Sequence, residues 1–283
     1  MRPTAYRAAY DGNRVAASVL CVAFIGVGPS AAATTASLDA QIELTAACSG
    51  DDPKAAVAAC TELIDTKDPD VKFQTAALVN RGNAYDALGE PARALADYER
   101  ALELDPGSAF SHRNKGVALA RLGRLSEALL EFVAAVELKP DYVEAYGSRA
   151  ETLMKMAAER GEPDGASVYK YILADYDKMI EIGGLGRRGA VAFDGRGKAN
   201  YHLGHLDAAI ADYTEAIALT PEPRFLMARA VAYADAGDST RANADIDRAE
   251  AIVGDVGVAA ATAAGLTPAA LQNVRDYIAK KRK

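Results

Sequence analysis

The stretch NRGNAYDALGEPARALADYERALELDP, residues 80–106, lies over NKGVALARLGRLSEALLEFVAAVELKP, residues 114–140, and the chain repeats itself every 34 residues. Asn80, Gly82, Tyr98, Ala101 and Pro106 recur as Asn114, Gly116, Phe132, Ala135 and Pro140. A fixed period settles the architecture before any single motif does. Each copy reads as two amphipathic helices parted by a turn at Gly89 or Gly123. Small residues mark where helices touch: Gly82 and Ala94 let the two helices of one copy approach, Ala101 admits the next helix, and Tyr85 and Tyr98 fill the space around them. Pro106 and Pro140 end each second helix, because the ring removes a donor and disfavours helical geometry just before it.

Further copies follow. A third begins with Tyr146, Ala150 and Leu153, but its second helix, with Tyr176 in the tyrosine place, arrives ten residues late, so the sequence predicts an inserted loop around Arg160–Ser167. A fourth carries Phe193, Gly197, Gly204, Ala209, Tyr213, Ala216 and Pro221, and departs at Asn200, where an aromatic is expected and Tyr201 comes one place late. The fifth runs through Leu226, Ala230, Tyr233, Gly237, Ala242 and Ala249, with Ile246 in the aromatic place. Ahead of them, Lys54–Ile64 overlays on Asp207–Ile217 with Cys60 in the tyrosine place, which marks a degenerate leading copy with Asp52 and Pro53 as cap and first-turn residue. Thr267 and Pro268 start a last helix, expected to cover the end of the array.

These residues resemble the tetratricopeptide repeat (TPR) family over about two thirds of the chain. The resemblance implies an all-α solenoid, a TPR superhelix of about five repeats (75–108, 109–142, 143–186 with the insertion, 190–222 and 223–254). A degenerate region at 34–74 precedes them, and a linker with the capping helix occupies 255–283. It further implies an inner wall made by the first helices, where peptides bind: Asn80, Asn83, Arg113, Asn114, Arg121, Lys155, Lys198, Tyr201 and Arg224. Asn amides can bind an extended backbone through donor and acceptor, and Arg113 and Arg121 could pair a carboxylate. The clamp that the family uses for chaperone tails is matched only at Asn83 and Asn114; its basic places hold Val79, Glu144 and Ser148.

Arg2, Arg7 and Arg14, the apolar run Val15–Val27 and the small residues that follow predict a secretory leader over 1–33, cut near Ala33. An uncleaved anchor is the alternative, although 13 apolar residues are short of the ~20 that span a bilayer. The whole chain has 283 residues and a net charge of −7; without the leader it has 29 basic and 38 acidic residues, net −9. That balance argues against nucleic acid, whose phosphates demand clustered Lys and Arg. Cys48 and Cys60 are the cysteines left, and in an oxidising compartment they are expected to form a disulfide.

No catalytic, metal or cofactor residue is assigned. His202 and His205 flank a turn without a third ligand, and His112 is read as packing. Gly184, Gly186 and Gly189 spell GxGxxG but follow a helical rather than a strand pattern, so a joint is the better reading. The Lys280–Lys283 run is read as a solvated helix end. The function expected is a non-enzymatic scaffold or adaptor for protein or peptide partners, periplasmic or secreted. The rival readings are a tethered envelope assembly factor and a subunit of an enzyme complex.

Overall fold

A computed structural model describes residues 31–66, 70–160, 166–183, 186–256 and 267–281. The expected leader falls outside them as far as residue 30, and the expected cut near Ala33 lies at the start of the first helix. All regular structure among the described residues is helical, and the helices stack as pairs, the arrangement of an α solenoid. The chain divides into two compact units, one ending at Ala145 and one beginning at Tyr146.

The N-terminal unit contains α1 (Ala31–Cys48), α2 (Pro53–Asp65), α3 (Val71–Ala87), α4 (Pro91–Leu104), α5 (Ala109–Arg121) and α6 (Leu125–Leu138), each packed against its successor through α5 and α6. Local chemistry sets the starts. Asp52 accepts from the Lys54 amide at 3.0 Å with Pro53 in the first turn, Asp70 accepts from the Lys72 amide at 2.8 Å, and Ser108 accepts from the Ser111 amide at 3.2 Å. The turn between α3 and α4 needs a left-handed residue, and Gly89 supplies it at φ 77°. The Glu90 amide then reaches back to the Tyr85 carbonyl at 2.9 Å, and the Gly89 amide to that of Asp86 at 3.1 Å. The same pair of bonds closes the turns at Gly123, Gly204 and Gly237.

Between paired helices the core is aromatic against glycine. Tyr98 and Phe132 are buried almost completely, and a Cβ added to Gly82 or Gly116 would come within 2.5 or 2.6 Å of their rings. Cys60 is fully buried in the place that Tyr98 holds in its own pair, and its Cα stands 4.7 Å from that of Cys48, to which it is disulfide-bonded. That distance lies inside the range a disulfide spans.

The C-terminal unit holds nearly all of α7 (Val143–Arg160), and α8 (Ala166–Gly183), α9 (Arg187–His202), α10 (Leu206–Leu219), α11 (Pro223–Asp235), α12 (Ser239–Val256) and α13 (Pro268–Lys281). The inserted residues of the third copy are not a loop throughout. Both α7 and α8 are 18 residues long, against 13 and 14 for α5 and α6, so most of the insertion lengthens helices; residues 161–165 lie outside the described ones. Helix formers such as Lys155, Met156, Ala157, Ala158 and Glu159 carry α7 onward.

Helix α13 packs on α11 and α12, with Leu271 and Ile278 buried in a cluster that includes Phe225, Leu226 and Ile246. Burying two such side chains is worth roughly 3–6 kcal/mol relative to leaving them in water. Arg275 fastens the helix further through Asp247 and Glu250, at 2.6 and 2.7 Å. No helix among the described residues is long and apolar enough to cross a membrane.

Candidate interaction surface

Five of the nine inner-wall residues lie in the N-terminal unit, and three of them join in one polar network between α3 and α5. Asn83 Oδ1 accepts from the Tyr98 hydroxyl at 2.8 Å and from Asn114 Nδ2 at 3.0 Å, while Arg113 Nη1 donates to Asn114 Oδ1 at 3.3 Å. Arg113 and Asn114 are buried and Asn83 and Asn80 are half-buried. Arg121 is exposed and closes the network's edge, donating to the Asp86 carbonyl at 2.9 Å with its Oδ1 at 3.3 Å. Sequence reasoning missed Asp86. It stands three residues beyond Asn83, hence on the same helical face, which was the available signal. Burial raises its carboxyl above the usual range, and Arg121 and the Tyr98 hydroxyl offset that in part.

The other four residues belong to the C-terminal unit and do not form one network. Lys155 is exposed on α7. Lys198 reaches back one helical turn to Asp194 at 2.6 Å. Arg224 bonds Glu222 at 2.8 Å and lies 4.5 Å over the Phe225 ring. Tyr201 donates to Asp235 Oδ2 at 2.6 Å, and the other oxygen of that carboxylate accepts from Tyr277 at 2.7 Å and from Lys281 at 2.6 Å. Burial pushes the Asp235 carboxyl up, but these donors outweigh it and hold it below the usual range. Tyr201 is thus tied to the capping helix. Lys281, read from sequence as part of a solvated end, is an anchor of that helix.

A recurring ion pair was missed altogether. Arg81 with Asp97, Lys115 with Glu131, Arg196 with Asp212 and Arg229 with Asp245 join the two helices of their pairs from positions 16 residues apart. Arg149 with Asp175 does so across the insertion, 26 apart. Three of these arginines also hold the preceding helix: Arg81 donates to Thr61 at 3.1 Å, Arg196 to Asp177 at 2.7 Å and Arg229 to Thr214 at 2.8 Å. Each of those partners directly follows the residue in its helix's tyrosine place, Cys60, Tyr176 or Tyr213. The pairs organise helices.

His112 corrects its reading as packing. Its Nδ1 lies 2.7 Å from Glu131 Oε2 and its Nε2 lies 3.0 Å from the Pro106 carbonyl, and the bond to Glu131 raises its pKa. His202 and His205 are exposed, the former stacked on Tyr169 with centroids 5.7 Å apart. Gly184 of the GxGxxG lies outside the described residues; Gly186 opens α9 at φ 104°, and the element before it is α8, so the strand that a dinucleotide fingerprint requires does not precede it. Among the described residues no three His, Cys, Asp or Glu side chains gather as a metal site.

Two tetratricopeptide repeat family models match the chain, one at residues 75–108 and one at 195–255. None of the curated proteins matches it. Among solved structures, a tetratricopeptide repeat protein from Parabacteroides merdae is 20% identical and aligns over 87% of this chain and 86% of its own, with a TM-score of 0.60. YrrB, described as a TPR protein with an unusual peptide-binding site, is 21% identical over 69% of this chain and 93% of its own, with a TM-score of 0.53. MamA from Desulfovibrio magneticus, from residue 41 to its end, is 19% identical over 62% and 93%, with a TM-score of 0.54. At such identities the likeness concerns the fold alone. Family models and structural neighbours together recognise tetratricopeptide repeats in this chain, set on an all-α fold of stacked helix pairs.

Proposed function

We propose that the protein is a non-catalytic scaffold of the bacterial cell envelope, exported by its N-terminal leader, that binds an extended segment of a protein partner. The binding face is that of α3 and α5. The observation that carries this reading is the polar network of Asn83, Asn114 and Arg113, with Arg121 and Asp86 at its edge, spanning two successive first helices. Apolar packing alone would put no amide or guanidinium there. The half-buried amides of Asn80 and Asn83 suit a peptide backbone, and the guanidinium of Arg121, half exposed, suits a carboxylate on the bound segment. A fixed helical face binds with little ordering cost of its own. YrrB, named for peptide binding, lends fold-level analogy.

Export is supported by the leader pattern and by the disulfide between Cys48 and Cys60, which an oxidising compartment sustains. Mass spectrometry of the protein recovered from the envelope tests it: a chain beginning near Thr34 is expected, whereas an intact Met1 would replace export with an anchored form.

Partner binding is tested by a photoreactive residue placed at Arg121 or, as a control, at Leu130, which is 70% exposed on α6. Adducts are expected from position 121 alone, and Arg121→Gln with Asn80→Ala should weaken capture about tenfold at unchanged helical circular dichroism. Equal adducts from both positions, or undiminished capture, would assign binding to another face.

A further inference from the structure

In two of the helix pairs the same space is filled by a tyrosine with an arginine laid over it. Tyr85 is buried, the Arg93 guanidinium lies 4.0 Å from its ring centroid, and Arg93 Nη2 donates to its hydroxyl at 2.6 Å. Arg81, the ion-pair arginine of that pair, stands 6.0 Å from the same ring. In the α11–α12 pair Tyr233 is buried likewise, with Arg241 at 4.5 Å and the ion-pair arginine Arg229 at 5.6 Å.

The α9–α10 pair lacks both plugs. Counting back from Tyr213 as Tyr85 and Arg93 are counted back from Tyr98, the tyrosine place holds Asn200 and the arginine place holds Ala208. The ion pair survives: Arg196 holds Asp212 at 2.6 Å, and Asn200 Nδ2 bonds the same carboxylate at 2.9 Å. Tyr201, one place late, turns away to Asp235. An open cavity of about 350 Å³ lies between α8, α9 and α10, with Leu173, Asp177, Arg196, Asn200, Ala208 and Asp212 among its lining residues, so the two places that hold ring and guanidinium in the α3–α4 and α11–α12 pairs here face a cavity.

We infer that this cavity is a docking site for a tyrosine side chain presented by a partner polypeptide, which supplies from outside the ring that the fourth copy lacks. The size is at the lower end for a ligand site, enough for one ring rather than for a large cofactor. Leu173 and Ala208 give apolar walls. The Arg196 guanidinium, 5.3 Å from the Phe193 ring centroid, offers an incoming ring the cationic neighbour that Tyr85 and Tyr233 have within their own pairs. The rim selects among rings. Asp177, at 60% exposure, accepts from Arg196 Nη1 at 2.7 Å, and with Asp212 it outnumbers the arginine, so the site favours an occupant that brings a hydrogen-bond donor and no negative charge. A phenol meets that condition; a phenyl ring lacks the donor. On α9, Arg196 and Asn200 share one face while Lys198 and Tyr201 point from the other, so this site is separate from any inner-wall contact and does not rest on the α3–α5 proposal.

The test titrates N-acetyl-tyrosinamide into the ¹⁵N-labelled full chain and follows amide shifts. Saturable shifts confined to α8, α9 and α10 around Asn200 and Ala208 are expected, with N-acetyl-phenylalaninamide binding more weakly. Asn200→Tyr with Ala208→Arg installs the plug found in the α3–α4 and α11–α12 pairs. It should raise the melting temperature and weaken the probe at least about tenfold. Should that variant misfold, Ala208→Leu alone narrows the cavity and must weaken the probe in the same direction. Shifts spread over the whole chain, shifts undiminished in a folded plugged variant, or tighter binding of N-acetyl-argininamide would each overturn the assignment, as would a wild-type dimer that the plug dissolves.

Discussion

Gly116→Ala puts a methyl group where the structure has no room for it. Two effects of opposite sign compete. Alanine is the better helix former by about 1 kcal/mol, so an unobstructed site would gain stability. Here the new Cβ would lie 2.6 Å from Phe132 Cε1, 2.9 Å from Cδ1 and 3.0 Å from Cζ. The ring cannot swing aside, because Phe132 is 1% exposed and walled by its own cluster. Overpacking of this kind costs about 1–3 kcal/mol. The sum is a net loss of about 1 kcal/mol, or roughly 3–5 °C in the melting temperature of a unit this size. The chain contains its own compensated version, since the fifth copy has Ala230 with Ile246 in the corresponding places, both fully buried.

The decisive experiment is therefore a double-mutant cycle of Gly116→Ala and Phe132→Ile, read by urea unfolding. Phe132→Ile alone should cost about 1–2 kcal/mol in lost contacts. The double variant should be no less stable than Phe132→Ile alone, a favourable coupling of about 1 kcal/mol. Gly254→Ala serves as control, because a Cβ there meets nothing within 4 Å; it should be neutral or stabilising. A stabilised Gly116→Ala single variant, or strict additivity in the cycle, would refute the argument that the glycine exists to admit the ring.

Two further outcomes are expected. Asp245→Ala leaves Arg229, at 14% side-chain exposure, without its bidentate acceptor and should cost about 2 kcal/mol in chemical denaturation, whereas Glu103→Ala, which breaks an i,i+3 pair with both members 62% exposed, should stay within about 0.5 kcal/mol. The His112 pKa is raised in the folded state by Glu131, so its contribution is complete below the unfolded value near 6.5 and is lost as pH rises through the folded value. Wild type should accordingly lose more thermal stability between pH 6 and 8 than His112→Gln, and parallel profiles would dismiss the bond as a contributor.

What was legible in the sequence was whatever a single helix or turn decides. Gly89 and Gly123, the prolines, Asp52 with Pro53 and the 34-residue step needed no knowledge of neighbours, and the structure has the helix pairs where they place them. The ion pairs were illegible for the opposite reason. Nothing in a single helix singles out Arg81, Arg196 or Arg229, and a separation of 16 residues acquires meaning only when two helices run antiparallel and bring its ends together. His112 was misread on the same ground, as its partner Glu131 sits on the next helix. In sequence the insertion reads as a loop around Arg160–Ser167 because the period breaks there, yet broken periodicity marks only a change of phase; Lys155–Glu159 are good helix formers that carry α7 as far as Arg160, and α8 already begins at Ala166.

The same distinction governs the candidate surfaces. Inner-wall residues chosen by position alone came out unequal: Asn83, Arg113 and Asn114 are woven together, Tyr201 is bound to the capping helix through Asp235, and Arg121 and Lys155 stay open to solvent. Arg113→Glu would place a carboxylate in a buried network, and any loss of binding would be confounded with loss of fold; Arg121→Gln avoids that, because it removes an exposed charge without setting a second carboxylate beside Asp86. Asn200 makes the complementary point. In the sequence it was a defect in a repeat, one aromatic short. Beside Tyr85 and Tyr233 it is one of two coordinated replacements, since Ala208 also removes the arginine that would have covered the ring. Loss of the ring alone would have left a guanidinium over a void, and loss of the arginine alone would have left an exposed tyrosine. Losing both leaves an open cavity with its ion pair intact, which is the form a binding site takes.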